Sequence, residues 1–218
     1  MHFEILVEDV SGKVALEILL PRIVGEGTTY RIHSYRGVGH IPRGLKDPKD
    51  ASKRILLDNL PKLLRGFGKT FAGVVGGPPS SVIVVCDLDD RDRNAFLGEL
   101  NEVLLSCTPA PETRFCLAIE EGEAWLLGDI PAVISAFPRA KRDVLSAYIN
   151  DSICGTWERL ADAVFPGGRN ALERLGGKAV GIEKSNWAQR IPVEMQVDEN
   201  RSPSFCAFRD TVRTLAGE

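Results

Sequence analysis

Acidic side chains follow three segments of the chain that are predicted to be β-strands. The strands are predicted at 3–7, 82–85 and 114–119. The acidic residues that follow them are Glu8, Asp87, Asp89, Glu120 and Glu123. In an open α/β sheet, the carboxyl ends of parallel strands lie at one edge, and ligands bind in the crevice beside that edge. We therefore expect these carboxylates to converge, although like charges at close range repel each other unless a cation neutralises them.

The spacing of Asp87 and Asp89 favours a hard divalent cation. Mg²⁺ prefers oxygen ligands and usually keeps several waters, so that a few carboxylates suffice to hold it. The sequence predicts a Mg²⁺ or Mn²⁺ site with ligands from Glu8, from Asp87 and Asp89, and from Glu120 or Glu123, and such a site supports phosphoryl transfer. A purely structural interpretation stays open, in which the acids of 87–92 cap the helix predicted at 92–105 and stabilise its dipole.

Several stretches of the sequence resemble proteins with a Toprim core. An acid after the first strand, a D-x-D pair after a later one and a further acid after the next resemble the Toprim fold of topoisomerases, bacterial primases and overcoming-lysogenization-defect nucleases. More narrowly, the chain is similar to an uncharacterised, mostly bacterial family with a Toprim-like core. The similar stretches are Val7-Glu8-Asp9, Cys86-Asp87-Leu88-Asp89-Asp90, Ala118-Ile119-Glu120 through Glu123-Ala124-Trp125-Leu126, Lys184-Ser185-Asn186-Trp187-Ala188 and Asn200-Arg201-Ser202-Pro203-Ser204-Phe205.

The resemblance implies a role for each acidic residue. It makes Glu8 a general acid/base or metal ligand and makes Asp87 and Asp89 the metal-binding pair, so that these three are the expected catalytic residues. Glu120 or Glu123 becomes an auxiliary ligand. Asp9 stands where Toprim proteins commonly have glycine. The chain offers neither a tyrosine context for a topoisomerase nucleophile nor a primase zinc module, so that a nuclease, with a role in bacterial defence, is the activity expected.

Positive charge is concentrated in one part of the chain. Residues 22–69 hold eleven Lys and Arg against four Asp and Glu, although the net charge of the whole chain is −3. Such a segment can present a basic face to DNA or RNA, because phosphate neutralisation dominates nonspecific affinity for nucleic acids. The residues expected to contact nucleic acid are Lys13, Arg36, Arg43, Lys46 and Lys53.

Two other functions remain open from the sequence. The protein can be a non-catalytic module that binds a metal, a nucleotide or a partner such as a neighbour-encoded ATPase. It can also be a phosphatase with Asp87 as the nucleophile, since haloacid-dehalogenase-like enzymes carry a D-x-D motif after a buried strand. Arg91, however, stands where those enzymes usually have Thr or Val.

The hydrophobic periodicity predicts an α/β fold with a Toprim-like, mostly parallel sheet flanked by helices. The run at 82–85 is apolar on both faces, which is typical of a strand buried in a parallel sheet. Ser11 is the predicted cap of a helix at 14–24, and Asp50 that of a helix beginning at 51. Residues 1–129 form the predicted core, and 130–218 form a helical extension that packs on it, as a separate unit or continuous with it.

Several classes of protein are excluded or disfavoured by the sequence. The five cysteines form no C-x-x-C pair, which disfavours a zinc site. Gly68-Lys69-Thr70 resembles the end of a phosphate-binding loop, but Leu63 stands where that motif needs its first glycine. No apolar run approaches the ~20 residues of a membrane helix, and residues 1–4 do not resemble the start of a signal peptide. A cytoplasmic protein without a membrane partner is therefore expected.

Overall fold

The protein folds around a four-stranded sheet in which every strand is parallel to its neighbours. A computed structural model describes residues 1–45 and 53–217. The strands are β1 (His2–Val7), β2 (Thr29–Ser34), β3 (Ser80–Asp87) and β4 (Thr113–Ala118). Their order across the sheet is β2-β1-β3-β4, so that β1 and β3 are central. The predicted fold class, an α/β sheet flanked by helices with further helices in the C-terminal part, is confirmed.

Helices connect the strands and make up the C-terminal part of the described chain. The first three are α1 (Val10–Ile23), α2 (Leu56–Gly73) and α3 (Arg93–Leu105). The remainder are α4 (Glu123–Leu127), α5 (Ile130–Ala136), α6 (Arg142–Ser146), α7 (Thr156–Val164), α8 (Gly168–Arg174), α9 (Gly177–Glu194) and α10 (Pro203–Ala216). None of the helices in the described ranges is long and apolar enough to cross a membrane.

The central strands bury both of their faces, which explains why their sequences are almost continuously apolar. Ile5 and Ile83 face a large core shared with α1, α4, α9 and α10. Leu6 and Val84 face a second core shared with α2 and α3. Apolar side chains therefore pack on both faces of the sheet, and this packing fixes the direction in which its carboxyl edge points.

The helices after residue 130 share the first of these cores. Helix α9 packs along α1, and α10 packs on β4. The rings of Trp125 and Phe208 stack with centroids 4.9 Å apart, and Trp187 is completely buried. These helices thus build one wall of the α1 side of the sheet, and α9 reaches the carboxyl ends of β1 and β3.

Two predicted helix starts differ from the structure. Helix α1 begins at Val10 and is capped by Asp9, whose Oδ1 accepts a hydrogen bond from the Gly12 N–H at 2.7 Å, so that the prediction of Ser11 as the cap is wrong. Helix α2 begins only at Leu56 and continues through Pro61. The expected cap Asp50 lies outside the described residues.

Gly12 permits the close approach of α1 to β1, and its replacement is expected to destabilise the fold. A Cβ atom at this position would lie 2.6 Å from Cγ2 of Val7. We expect Gly12→Ala to lower the free energy of unfolding by about 1–3 kcal/mol, because overpacking forces neighbouring atoms to shift. Gly98→Ala is the matched control, since a Cβ at this exposed position in α3 meets nothing within 4 Å. Gly98→Ala should stabilise by up to about 1 kcal/mol through helix propensity; equal effects of the two variants in urea unfolding would contradict this role of Gly12.

Candidate functional site

The adjacent central strands bring Glu8 and Asp87 together at the carboxyl edge of the sheet. Val7 of β1 pairs with Val85 of β3, so that the residues that follow them leave the sheet side by side. The backbone N–H of Asp87 donates a hydrogen bond to Oε2 of Glu8 at 3.1 Å. Oε1 of Glu8 makes no hydrogen bond with a described residue. The geometry thus fixes one oxygen of Glu8 and leaves the other available.

A small cavity of about 60 Å³ lies between this edge and the surrounding helices. Its charged lining residues are Glu8, Asp9, Asp87, Glu123 and Lys184. They come from the ends of β1 and β3, the turn before α1, the first turn of α4 and the middle of α9. Apolar side chains, including Val7 and Leu126, complete the lining. The cavity is therefore a charged site on an apolar base, and its charged residues come from four separate segments of the chain.

The carboxylate of Asp87 has no polar partner among the residues that the structure describes. This side chain is half-buried, and within the described ranges it forms neither a hydrogen bond nor an ion pair. A carboxylate without a partner in such a place is unfavourable when ionised, because it has lost water without gaining a donor. The site therefore leaves an unsatisfied acceptor beside the cavity.

Lys184 is the only basic side chain of the described chain that lines the cavity. Its Nζ lies 3.2 Å from Oε2 of Glu123 and 3.5 Å from Oε1 of Glu121. The side chain of Lys184 is 20% exposed and that of Glu123 only 6%. The ammonium group is therefore held inside the site by two carboxylates and does not extend into solvent.

Burial raises the pKa of the carboxyl groups that line the cavity. The pKa of Glu8 rises to about 7, because burial outweighs the hydrogen bond from Asp87, and Asp89 and Asp9 add repulsion. The pKa of Glu123 also rises to about 7 through burial, although Lys184 opposes this shift. Burial, followed by the charges of Glu8 and Glu123, raises the pKa of Asp87 well above its usual range.

The positive charge of Lys184 is too small to balance the carboxylates around it. Burial by itself lowers the pKa of Lys184, but Glu123 and Glu121, followed by Asp87 and Asp9, raise it above its usual value. Lys184 therefore stays protonated, and one ammonium group faces several carboxyl groups. The remaining negative charge can be removed by protons or by a bound cation.

Asp89 lies beside the cavity without lining it. The charge of Asp89 contributes to the raised pKa of Glu8. Its side chain, however, is 46% exposed and lies 3.5 Å from Nη2 of Arg91. In this arrangement Asp89 can add to the negative potential at the open side of the site, but it is not placed as a direct neighbour of Glu123.

Glu120 does not join the other carboxylates. Its side chain accepts hydrogen bonds from the backbone N–H groups of Gly155 and Thr156, at 2.7 and 2.8 Å, and a longer one from Cys154. It thereby satisfies amides at the start of α7, which have no partners within that helix. The expectation that Glu120 is a metal ligand does not fit this geometry, because its carboxylate is already bound to these amides. The sequence does not reveal that α7 lies next to this strand end.

The turns after β3 and β4 hold strained residues next to the site. Asp89 and Glu120 have φ angles of 52° and 62°, in the left-handed region that disfavours most side chains. The N–H of Asp89 donates to the carbonyl of Glu120 at 2.9 Å, which ties the two turns together. Such backbone strain persists where the surrounding structure fixes it, and it is frequent at functional sites.

No described set of three or more His, Cys, Asp and Glu side chains, within 1–45 and 53–217, is arranged to hold a metal ion by itself. The described residues therefore do not form the ligand set expected from the sequence, in which Glu120 or Glu123 joins Glu8, Asp87 and Asp89. Glu8 and Asp87 are adjacent, Glu123 shares their cavity through its contact with Lys184, Asp89 is peripheral and Glu120 binds the start of α7.

The basic residues expected to contact nucleic acid lie outside the cavity where the structure describes them. Lys13 pairs with Glu17 along α1 at 3.5 Å, and Arg36, Arg43 and Lys53 are exposed. Lys46 lies outside the described residues. None of the four described residues lines the cavity.

Sequence reasoning gave Lys184 no role of its own, although a signal was available. Lys184 lies three and four residues before Trp187 and Ala188, both buried, and seven before buried Ile191. This spacing places a lysine on the apolar face of a helix. A charge in that position indicates a buried partner, which here is Glu123.

Comparisons with protein-family models, with curated proteins and with solved structures found no match to this chain. The resemblance to Toprim proteins therefore stays a prediction from the sequence.

We expect the stability of the protein, freed of divalent cations by a chelator, to fall as the pH rises from about 5 to about 8. A carboxyl group whose pKa is raised by folding stabilises the folded state below its unfolded pKa, and this contribution is lost as the pH passes its folded pKa. Glu8 and Glu123, each with a pKa near 7, therefore contribute a decline over this range. The Glu123→Gln variant should show a smaller decline in urea unfolding, whereas the exposed Glu102→Gln control should follow the wild type. Equal declines in both variants would contradict the assignment.

Glu120→Ala tests whether this residue is structural. We expect the free energy of unfolding to fall by about 1–3 kcal/mol, because amides at the start of α7 lose their acceptor. Affinity for Mn²⁺, measured by calorimetry, should stay within about threefold of the wild type, while Asp87→Asn should lose most of it. A loss of affinity in Glu120→Ala as large as that in Asp87→Asn would make Glu120 a ligand after all.

Proposed function

We propose that this protein is a Mg²⁺- or Mn²⁺-dependent phosphodiesterase that cleaves nucleic acid. The observation that carries the proposal is the convergence of Glu8 and Asp87 beside a cavity whose carboxyl groups exceed the charge of Lys184. Burial and, after it, repulsion between the carboxylates raise their pKa values, and a divalent cation would offset both effects. The acid positions after the strands, through which the sequence resembles Toprim nucleases, support the same activity.

The residues present suit Mg²⁺ or Mn²⁺ better than a metal that requires a closed protein cage. Mg²⁺ is usually held by one or two carboxylates and retains water in its other positions. Glu8 and Asp87 supply such oxygen ligands, and Asp87 has no competing hydrogen-bond donor among the described residues. The absence of a three-ligand cluster from the described ranges is compatible with this mode of binding. Among the described residues that line the cavity, Cys86 is the only cysteine or histidine, which disfavours a zinc site of the usual composition.

In this proposal the residues of the site have separate roles. A bound divalent cation supplies electrostatic stabilisation of the charge that develops on the attacked phosphate. Asp87 would hold the cation through its carboxylate, which has no other partner among the described residues. Glu8, fixed through Oε2, directs Oε1 towards a water and accepts its proton. A base is most effective when its pKa lies near the working pH, and burial raises the pKa of Glu8 towards that range before a cation binds.

Lys184 and Asp89 act around this centre. Lys184 neutralises Glu123 and Glu121, so that these carboxylates do not draw the cation away from Glu8 and Asp87. Asp89, at the open side, adds negative potential that favours entry of a cation. A role in bacterial defence remains part of this proposal through the Toprim resemblance alone, whereas a neighbour-encoded ATPase is a partner proposed for the non-catalytic alternative.

A non-catalytic module is the second candidate, and the ion pair of Lys184 with Glu123 favours it. This pair neutralises part of the site without any ligand, as a purely structural cluster would. In that case the cavity binds a cation, a nucleotide or a partner, and no phosphodiester bond is broken. The two candidates differ in whether purified protein hydrolyses oligonucleotides.

We expect Glu8→Gln and Asp87→Asn to slow hydrolysis of labelled oligonucleotides by at least about 100-fold, because each variant removes a base or a cation ligand. The measurement is the cleavage rate of single-stranded and duplex DNA and RNA with Mg²⁺ or Mn²⁺, resolved on denaturing gels. Asp90→Asn is the matched control, since Asp90 is exposed, lies in the same turn and does not line the cavity.

Three outcomes of this assay would contradict the proposal. They are unchanged cleavage after addition of a chelator, equal rates for Glu8→Gln and the wild type, and a loss in Asp90→Asn as large as that in Asp87→Asn. Protein that binds Mn²⁺ at this site but cleaves none of the substrates would favour the non-catalytic module.

A further inference from the structure

A second, larger groove lies on the opposite face of the sheet, between α2 and the edge strand β2. Its volume is about 420 Å³, in the range of small-molecule binding pockets (about 300–1,000 Å³). Tyr35 and Arg54 line one end, and Phe67 and Thr70 come from the α2 side. Gly66, at the middle of α2, has no side chain to fill this part of the groove. The space around it is empty, since a Cβ at this position would meet nothing within 4 Å.

Two basic side chains, Lys62 and Arg54, line the groove. Lys62 is exposed and forms no ion pair with any residue in the described ranges. The guanidinium of Arg54 donates through Nη2 to the Ser34 carbonyl at 2.9 Å and lies 5.8 Å from the centre of the Tyr35 ring. No Asp or Glu is among the described residues that line the groove. The groove therefore favours an anion.

Aromatic rings form the apolar surface between these cations. Phe67 is partly exposed, and its ring lies 6.2 Å from that of His33 and 5.8 Å from that of Phe71. Tyr35 is nearly buried and forms the base of one end. A partly exposed ring next to cations offers both of the contacts that an unpaired nucleotide requires, which are stacking for the base and charge for the phosphate.

One end of the groove lies at the same edge of the sheet as the carboxylates. Tyr35 follows the end of β2, and its N–H donates to the Val7 carbonyl at 3.0 Å. The Gly37 N–H donates to the carbonyl of Glu8 at 3.1 Å. Exposed Arg36 lies between these two contacts. A polyanion that leaves the groove past Tyr35 therefore reaches the turn that adjoins Glu8.

We propose that the groove between α2 and β2 binds single-stranded nucleic acid and directs it towards Glu8 and Asp87. Phe67 stacks on a base, and Lys62 and Arg54 contact the flanking phosphates. A duplex conceals the faces of its bases, so that a stacking groove selects the unpaired form. Cleavage of the bound nucleic acid rests on the proposed function, whereas binding in the groove itself requires no cation.

The experiment measures binding to fluorescein-labelled oligothymidine by fluorescence anisotropy in the presence of a chelator. The wild type should bind the single strand more tightly than a duplex of equal length. Phe67→Ala should raise the Kd about tenfold, because it removes a stacking surface. Lys62→Ala should lower the slope of log affinity against log salt concentration by about 0.7, which corresponds to one phosphate contact on a single strand.

Two further variants make the result decisive. Lys62 is exposed, so Lys62→Glu should weaken binding without disturbing the fold, and it tests the groove even where Phe67→Ala fails to fold. Lys178 is an exposed lysine of α9, and Lys178→Ala should bind like the wild type. Absence of binding, a duplex bound as tightly as the single strand, or Lys62→Glu and Lys178→Ala with equal Kd would overturn the proposal. Glu8→Gln should retain binding, so that a failure of hydrolysis and a failure of the groove give different results.

Discussion

The ion pair between Lys184 and Glu123 is the interaction on which the carboxyl edge of this sheet depends. Without it, the buried carboxyl groups of Glu8, Asp87 and Glu123 would face one another with no positive charge of the described chain in their cavity. Removing one partner of a buried ion pair leaves an uncompensated charge, which is strongly destabilising. Because Lys184 belongs to α9 and Glu123 to α4, the pair also joins α9 to the short helix that follows β4.

The scaffold keeps these groups in place from both sides. Parallel pairing of β1 and β3 fixes Glu8 next to the amide of Asp87, and the close approach of α1 at Gly12 brings Asp9 to the same cavity. Glu120 shows how the position of a side chain depends on its neighbours. It follows a strand as Glu8 does, yet it binds amides at the start of α7 because that helix lies beside it.

Charge is separated across the sheet. The α1 side holds the carboxylate cavity, while the α2 side holds the groove bordered by Arg54 and Lys62. The two sites meet at the loop after β2, where Gly37 contacts the carbonyl of Glu8. In the proposed function, a cation binds on one face and a polyanion on the other, and the two sites meet where hydrolysis of a phosphodiester bond requires both of them.

The sequence by itself determined the α/β class, the strands that bear the acids and the helices after residue 130, because hydrophobic periodicity is a local property of the chain. It also placed Glu8 and Asp87 at one edge, since parallel strands share their carboxyl ends. Only the tertiary structure decided that Asp89 turns outward, that Glu120 binds α7 and that Lys184 enters the cavity. These outcomes depend on contacts between residues distant in the sequence, and no local pattern encodes which helix lies beside which turn.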